Sequence, residues 1–512
     1  MISSRCFILA ICIPGCIFAK VNADGVPNSN SDAGNSVFEA KNGVRRATAE
    51  LVSSSILSFA HDVGLLLNDD VQFGKTSIFS PVSIMSSMAM LLLGSKGKKY
   101  EDLRHIFGLD VPPLRDASNS FHAEFGAMME EMQENSDSLL TRNHDNWRNT
   151  NVAFNIRNKP NISEERGSAV NSVIKLVNGL FVKNGYELNP LYRDVIYSIY
   201  KCDVIPLDLN KPLARDFIND WIFKKTFGKI IGIVTENISA DTNAIIASAL
   251  YFKGFWVNPF IRGATVIDNF YPDGLQRNPI KVQMMATAGA HPYYFSVEHD
   301  CGILGMPYIN NFTTMYIIQP KNSSRNKLSN LLKALNADKI EGMISKMVYQ
   351  NVIFALPKMH LTQNIDMKNI FRALGVNNIF AKERISEVPR SDLAERTWPR
   401  VRHTITFPTD KPVNVAHAPL TSTEQLLEEW ISNRNASTNL LSDLFVGDIV
   451  HKVDFVVDED GTEGAAATVT YLKRSGGSVL FRADTPFLLL VRHDPTKLPL
   501  FYGIINVPSP SF

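Results

Sequence analysis

Cysteine is scarce in this chain and badly placed for a disulfide framework. Of five cysteines in 512 residues, Cys6, Cys12 and Cys16 crowd the N-terminus, leaving Cys202 and Cys301 for any folded body. Two thiols build no cross-linked scaffold. They read as two separate, mostly buried thiols, with one bond between them as the alternative. A surplus of either charge is also missing: 52 Lys and Arg stand against 51 Asp and Glu, a net +1. That balance gives no electrostatic footprint for a nucleic-acid or membrane-surface partner. Past the N-terminus no apolar run reaches the roughly 20 residues of a spanning helix. Catalytic signatures are absent as well. There is no G-x-S-x-G, H-E-x-x-H, Walker loop or C-x-x-C, so the chain is not read as an enzyme, and no metal or cofactor is expected.

What is present begins with a segment built for export. Met1–Ala23 has Arg5 as its positive start, an apolar stretch over Cys6–Phe18 and small residues at Ala19 and Ala23. This is the pattern of a secretory signal peptide. Removing residues 1–23 takes away Arg5 and Lys20, so the net charge moves from +1 to −1. Five N-x-S/T acceptors, Asn161, Asn237, Asn311, Asn322 and Asn435, agree with a secreted, extracellular glycoprotein. Residues 24–48 are rich in Asn, Ser, Gly and Asp and read as a flexible extension. A first helix is expected over Ala49–Asn68, where Leu51, Ile56, Phe59 and Val63 recur near helical spacing. Another is expected over Phe121–Met132, which carries Glu124, Glu130 and Glu131 and no Lys or Arg. Polar insertions are read at about 143–166 and 390–442. The second holds Trp398-Pro399, Pro408, Pro412 and Pro419, which argue against strands, then a short helix near Glu424–Ile431. Its default reading is disorder or loose packing, with a role in recognition left open.

Near the C-terminus lies Glu459-Asp460-Gly461-Thr462-Glu463-Gly464-Ala465-Ala466-Ala467-Thr468, an acidic hinge followed by mostly tiny side chains. Small residues in a solvent-facing loop bury almost nothing, so stability does not explain them. They suit a segment that later slides between existing strands. Alternate residues of a strand share a face. One face would carry Thr462, Gly464, Ala466, Thr468, Thr470 and Leu472, with no charge among them.

This stretch resembles the reactive-centre loop of the serpins, and other segments match that family in order. Phe79-Ser80-Pro81-Val82-Ser83-Ile84 resembles the entry to the helix behind the main sheet. Asn178-Gly179-Leu180-Phe181 resembles a central strand. Ile218-Asn219-Asp220-Trp221 with Thr226, Gly228, Lys229 and Ile230 follows next, then Leu250-Tyr251-Phe252-Lys253-Gly254-Phe255-Trp256. Leu356-Pro357-Lys358, Leu374-Gly375-Val376, His451-Lys452 and Leu500-Phe501-Tyr502-Gly503 complete the series. The resemblance spans Phe79–Gly503. It replaces the prior of about three domains that length alone suggests with one α+β serpin domain over 49–508. About three β-sheets, about eight or nine helices and an exposed reactive-centre loop at about 459–481 are implied.

The resemblance also implies a mechanism. A serine protease attacks the loop, forms an acyl-enzyme, and is carried off as the cut loop inserts into the main sheet; serpin loop insertion is itself a standard example of strand addition. Glu459, Gly461 and Thr462 through Thr468 would be the hinge. Gly461 would permit unusual backbone angles at the turn, and Gly464 departs from the family's usual alanine. Ser80, Ser83 and His451 would form a polar shutter under the sheet, with Ser248 standing where the family has asparagine. Trp256 would pack beneath the loop entry. Counting 16 places on from Glu459 at the family's usual loop length gives Ser475, followed by Gly476; one place earlier, Arg474–Ser475 follows Lys473, and this basic pair, suited to an extracellular trypsin-like protease, makes Arg474–Ser475 the preferred reactive bond. Ser475–Gly476, suited to an elastase-like enzyme, is the alternative. A non-inhibitory carrier or chaperone serpin is the rival function. A monomer is expected, and a heparin-type cofactor is disfavoured at the acidic helix Phe121–Met132.

Overall fold

The computed structural model describes residues 31–69, 74–109, 118–134, 173–380, 422–433, 446–462 and 479–508, except 187, 237, 240, 241, 276, 310 and 311; side chains are described from 45 onward, except those of 69, 118, 119, 366 and 448. The helices are α1 (Ser31–Asp69), α2 (Pro81–Gly94), α3 (Gly97–Ile106), α4 (Ser118–Glu134), α5 (Pro190–Tyr200), α6 (Leu213–Lys225), α7 (Arg325–Ala334), α8 (Ala337–Ser345), α9 (Met367–Ala373) and α10 (Ser422–Asn433). The strands are β1 (Ser77–Phe79), β2 (Val173–Lys183), β3 (Cys202–Leu207), β4 (Ala244–Phe255), β5 (Val266–Phe270), β6 (Ile280–Ser296), β7 (Cys301–Pro307), β8 (Thr313–Pro320), β9 (Val348–Pro357) and β10 (Met359–Asp366). They continue as β11 (Val446–Val457), β12 (Gly461–Thr462), β13 (Val479–Arg482), β14 (Phe487–His493) and β15 (Leu498–Ile505).

Two sheets result. The main sheet runs β10-β11-β4-β2-β3, with β12 added on β4. The other runs β1-β15-β14-β8-β7-β6-β9-β13, with β5 on β6. Three sheets were expected. Two of them are joined because the long β6 pairs with β9 over Met284–Tyr293 and with β7 over Tyr293–Ser296. The described residues hold ten α-helices rather than eight or nine.

α2 lies behind the main sheet and is buried along its whole length. A helix that is apolar all round belongs in a core. Its start is set by extended Ser80 and by Pro81 in the first turn, where a missing N–H costs nothing. α1 begins at Ser31, so residues 31–48, expected to be a flexible extension, continue the helix. Its stretch Arg45–Asn68 is long and apolar enough to cross a membrane, but Val52, Ile56, Phe59, Ala60 and Val63 are buried inside the protein. It is a core helix.

The one described part of the second insertion is the short helix expected near Glu424–Ile431, here Ser422–Asn433. α10 packs firmly: Trp430 is 1% exposed, its Nε1–H donates to the Leu93 carbonyl at 3.1 Å, and its ring lies 5.2 Å from that of Tyr192. An indole and Leu427 on one face dock the helix on α2 and α5, while the proline-containing stretch read as loose lies outside the described residues. Cys202 and Cys301 are free, buried thiols, in line with the unpaired reading.

Candidate functional site

The seam between β4 and β11 is where the chemistry collects. These strands run parallel and pair only from Ala244/Val446 to Ser248/His451. At the other end of β4, Gly461 lies opposite Phe255 and Thr462 opposite Gly254, antiparallel. Between them, Ala249–Lys253 has no partner on that edge among the described residues. The seam is closed at one end and occupied by the start of the hinge at the other.

Several contacts hold that start in place. Trp256 N–H donates to the Asp460 carbonyl at 2.9 Å and Phe260 N–H to that of Glu459 at 2.8 Å. The Asp458 carboxylate accepts from the N–H groups of Asp460 and Gly461, both at 3.0 Å, and so shapes the turn. Thr462 is 1% exposed and its hydroxyl bonds the Tyr308 hydroxyl at 2.8 Å. Tyr308 in turn stacks on Trp256 with ring centres 4.4 Å apart, and Trp256 Nε1–H donates to the Asp458 carbonyl at 3.1 Å. Trp256 thus packs under the loop entry.

Ion pairs fasten the acidic residues. Lys358 meets Glu459 at 2.8 Å, and Thr265 donates to the same carboxylate at 2.8 Å. Burial pushes the Glu459 carboxyl up, but the hydrogen bonds from Lys358 and Thr265 outweigh it and hold it below the usual carboxylate range. Asp460, which is buried, pairs with Arg262. Asp460, Gly461, Thr462 and, at the far end, Phe481 were expected in an exposed loop and are buried instead. The reason for Gly461 also changes. It needs no left-handed angle; a Cβ there would sit 2.0 Å from the Gly254 carbonyl oxygen and 2.8 Å from Phe255 Cα. Only glycine allows the two backbones to lie this close.

At the closed end, one row crosses three strands: Asn178 on β2 faces Ser248 on β4, which faces His451 on β11. All are buried beside α2. Ser83 Oγ donates to Ser248 Oγ at 3.1 Å, and Ser80 N–H donates to His451 Nε2 at 3.0 Å. Ser86 Oγ donates to Asn178 Oδ1 at 3.2 Å, while Asn178 Nδ2–H donates to the Tyr200 carbonyl at 3.1 Å. Burial lowers the His451 pKa to about 4, against the pull of the Ser248 main chain, so the ring is neutral. Ser80 Oγ is buried without a hydrogen-bond partner. The four expected shutter residues therefore come together. Asn178 and Ser86 were missed; the available signal was a lone asparagine in the apolar run Val173–Lys183.

Other expected positions divide sharply. Glu463, Gly464, Ala465, Ala466, Ala467, Thr468, Arg474, Ser475 and Gly476 lie outside the described residues, as do the signal segment and the acceptors Asn161, Asn237, Asn311 and Asn435. Asn322 is exposed, on a turn with φ 53°. In α4, Glu124 is buried and pairs with Arg45 at 3.1 Å, and Glu131 is buried too. The helix thus presents less negative charge than its sequence implies.

This single-domain fold pairs Gly461 and Thr462, at the start of the expected loop, with β4 of the main sheet. Residues 55–508 match the family model described as "Serpin (serine protease inhibitor)". The chain is 42% identical over 472 residues to serine protease inhibitor 28Dc of Drosophila melanogaster, covering 90% of this chain and 80% of that protein. It is 25% identical over 471 residues to a leukocyte elastase inhibitor of Xenopus laevis, covering 90% and 100%. Solved structures of human thyroxine-binding globulin (TM-score 0.64, 17% identity, 90% and 100% covered) and uncleaved ovalbumin (0.63, 18%, 89% and 100%) share the fold. The chain belongs to the serpin family.

Proposed function

We propose that this serpin is a secreted suicide inhibitor of an extracellular trypsin-like serine protease, acting through cleavage at Arg474–Ser475. The observation that carries the reading is the pairing of Gly461 and Thr462 on β4. Their residue numbers sum with those of their partners to 716 (461 with 255, 462 with 254). Continuing that register sets Thr468 against Ser248 and Leu472 against Ala244, the first residue of β4. Loop insertion would thus run the full length of β4 and displace every β4–β11 pair on the way. The hydrogen bonds from Ser80, Ser83 and Ser86 to the row Asn178–Ser248–His451 would have to rearrange as the strands part.

Side-chain direction supports the same reading. Thr462 points inward onto Tyr308, and alternation puts Gly464, Ala466 and Thr468 on that buried face. None carries a charge. The new strand Thr462–Arg474 would be roughly 43 Å long at ~3.3 Å per residue, enough to drag a tethered enzyme from one pole to the other. A dozen ladder hydrogen bonds at about 1 kcal/mol net each would drive it. After cleavage the acyl-enzyme bond stays intact if insertion outruns hydrolysis.

Trypsin and an elastase, each incubated with the protein, test the reading by SDS gel and by sequencing the released C-terminal peptide. A covalent complex with trypsin and a peptide beginning at Ser475 is the expected result. A peptide beginning at Gly476 moves the target to elastase-like enzymes. Cleavage with no stable complex from either enzyme overturns inhibition in favour of a carrier or chaperone. Export is tested separately, by N-terminal sequencing of protein recovered from culture medium; a start at Asp24 is expected.

A further inference from the structure

Where the loop rejoins the body, β13 is an edge strand lying parallel to β9. Its inner face is anchored: Phe481 is buried, with its ring 5.9 Å from that of buried Phe354. Its outer face is unusual. Leu480 stands directly opposite Ile353, and Ile353 opposite Ala288 of β6. Leu480 is 66% exposed and Ile353 48% exposed. Arg482, two residues on and on the same face, is exposed but already engaged by Asp268 and Asp484. Here two branched aliphatic side chains form a cross-strand pair in water, where neither adds much to stability.

We propose that this pair is a docking surface for the protease that cuts the loop, which gives the inhibitor affinity beyond the reactive bond. The inference rests on the inhibitory reading above. Its geometry follows from chain length. Ser475 and Leu480 are five residues apart, so at most about 18 Å separates them. A standard protease–inhibitor footprint covers about 800 Å² on each partner, a disc of roughly 16 Å radius. With a protease seated on Arg474–Ser475, Leu480 therefore lies inside its footprint or within about 2 Å of the edge, which puts the Leu480–Ile353 pair in the region of the rim. The complementary surface on the enzyme is an apolar rim beside the leaving-group side of its cleft. Ile353 is the informative residue. It belongs to β9, outside the loop, so it cannot fill any pocket that reads the cleaved segment.

The test measures the second-order rate of SDS-stable complex formation with trypsin, and its stoichiometry, for wild type, Ile353→Asp and Leu480→Asp. Both variants should slow association 5–10-fold with unchanged stoichiometry, since the step after cleavage does not involve this face. Ile353→Ser, which places no charge on the strand, should give a smaller loss in the same direction with an unchanged melting temperature. An unchanged rate for Ile353→Asp overturns the docking surface while leaving the inhibitory reading intact. Failure of wild type to form any complex removes both. Sedimentation decides against the protease as occupant if wild type is a dimer and Ile353→Asp a monomer, because the patch would then join two copies of this chain.

Discussion

Replacing Gly461 by alanine probes the hinge at its tightest point. The added methyl would lie 2.0 Å from the Gly254 carbonyl oxygen, and that neighbour is backbone in a central strand. No rotamer relieves such an overlap. The two-residue β12 must leave β4, since β4 is held on its other edge by ten residue pairs with β2. Three contacts then go: Trp256 N–H to the Asp460 carbonyl, Phe260 N–H to the Glu459 carbonyl, and Thr462 to Tyr308. At about 1 kcal/mol net for each, the uncleaved protein should lose about 2–3 kcal/mol in urea unfolding. By the proposed register Gly461 keeps the same partner after insertion, so the clash would persist there. Insertion after cleavage should therefore start late, and more of the acyl-enzyme should hydrolyse. Titration of trypsin should show several molecules of the variant consumed per enzyme inactivated. Wild-type stability together with unchanged stoichiometry would refute the close approach and the argument built on it.

Two further substitutions probe the rest of the path. Thr468→Arg leaves the reactive bond untouched but, by the 716 register, sets a guanidinium at the buried Asn178–Ser248–His451 row, at a cost of several kcal/mol for an unpaired charge; SDS gels should show cleaved protein in place of complex, and wild-type complex yield would defeat the insertion register. His451→Ala leaves the Ser80 N–H without its acceptor and should cost about 1–3 kcal/mol in the uncleaved form, with polymers seen on native gels; an unchanged melting curve and a purely monomeric sample would count against the shutter. The histidine also sets a pH dependence. Its folded pKa, about 4, lies below the ordinary 6.5, so the folded state binds fewer protons than the unfolded one. Its contribution to stability should be lost as pH drops from 6.5 towards 4, and His451→Ala should remove that part of the slope; His61 and His291, which burial also lowers to about 4, act in the same direction, while Asp62, raised by burial to about 8, acts in the opposite one.

Much of the fold was legible because its signals are local and ordered. Segments such as Leu250–Trp256 and Leu500–Gly503 carry strand and turn chemistry in their own residues, and their sequence of appearance identifies the family. Ser80, Ser83, Ser248 and His451 could be placed together for the same reason. What stayed hidden depends on contacts between distant segments. Nothing in Asp460-Gly461-Thr462 announces that it is already seated on β4; that depends on Gly254, Tyr308 and Arg262, which are remote in the chain. Gly461 looked like a residue chosen for its angles, whereas its role is to bring two backbones close. Asn178 was quoted as part of a strand motif, but its place in the polar row appears only once β2, β4 and α2 are packed. Trp430 is a mixed case. Its helix was legible from the sequence, but its docking depends on Leu93 and Tyr192, remote in the chain.

Thermal melting of the protein before and after a single cut in the loop tests insertion most directly. By the proposed mechanism cleavage would free Glu463–Arg474 to continue the strand begun at Gly461–Thr462, adding about a dozen ladder hydrogen bonds at about 1 kcal/mol each. For a domain of this size that should raise the melting temperature by roughly 10 °C or more. A cleaved protein that melts where the intact one does would show that the loop stays outside the sheet, and would contradict the account.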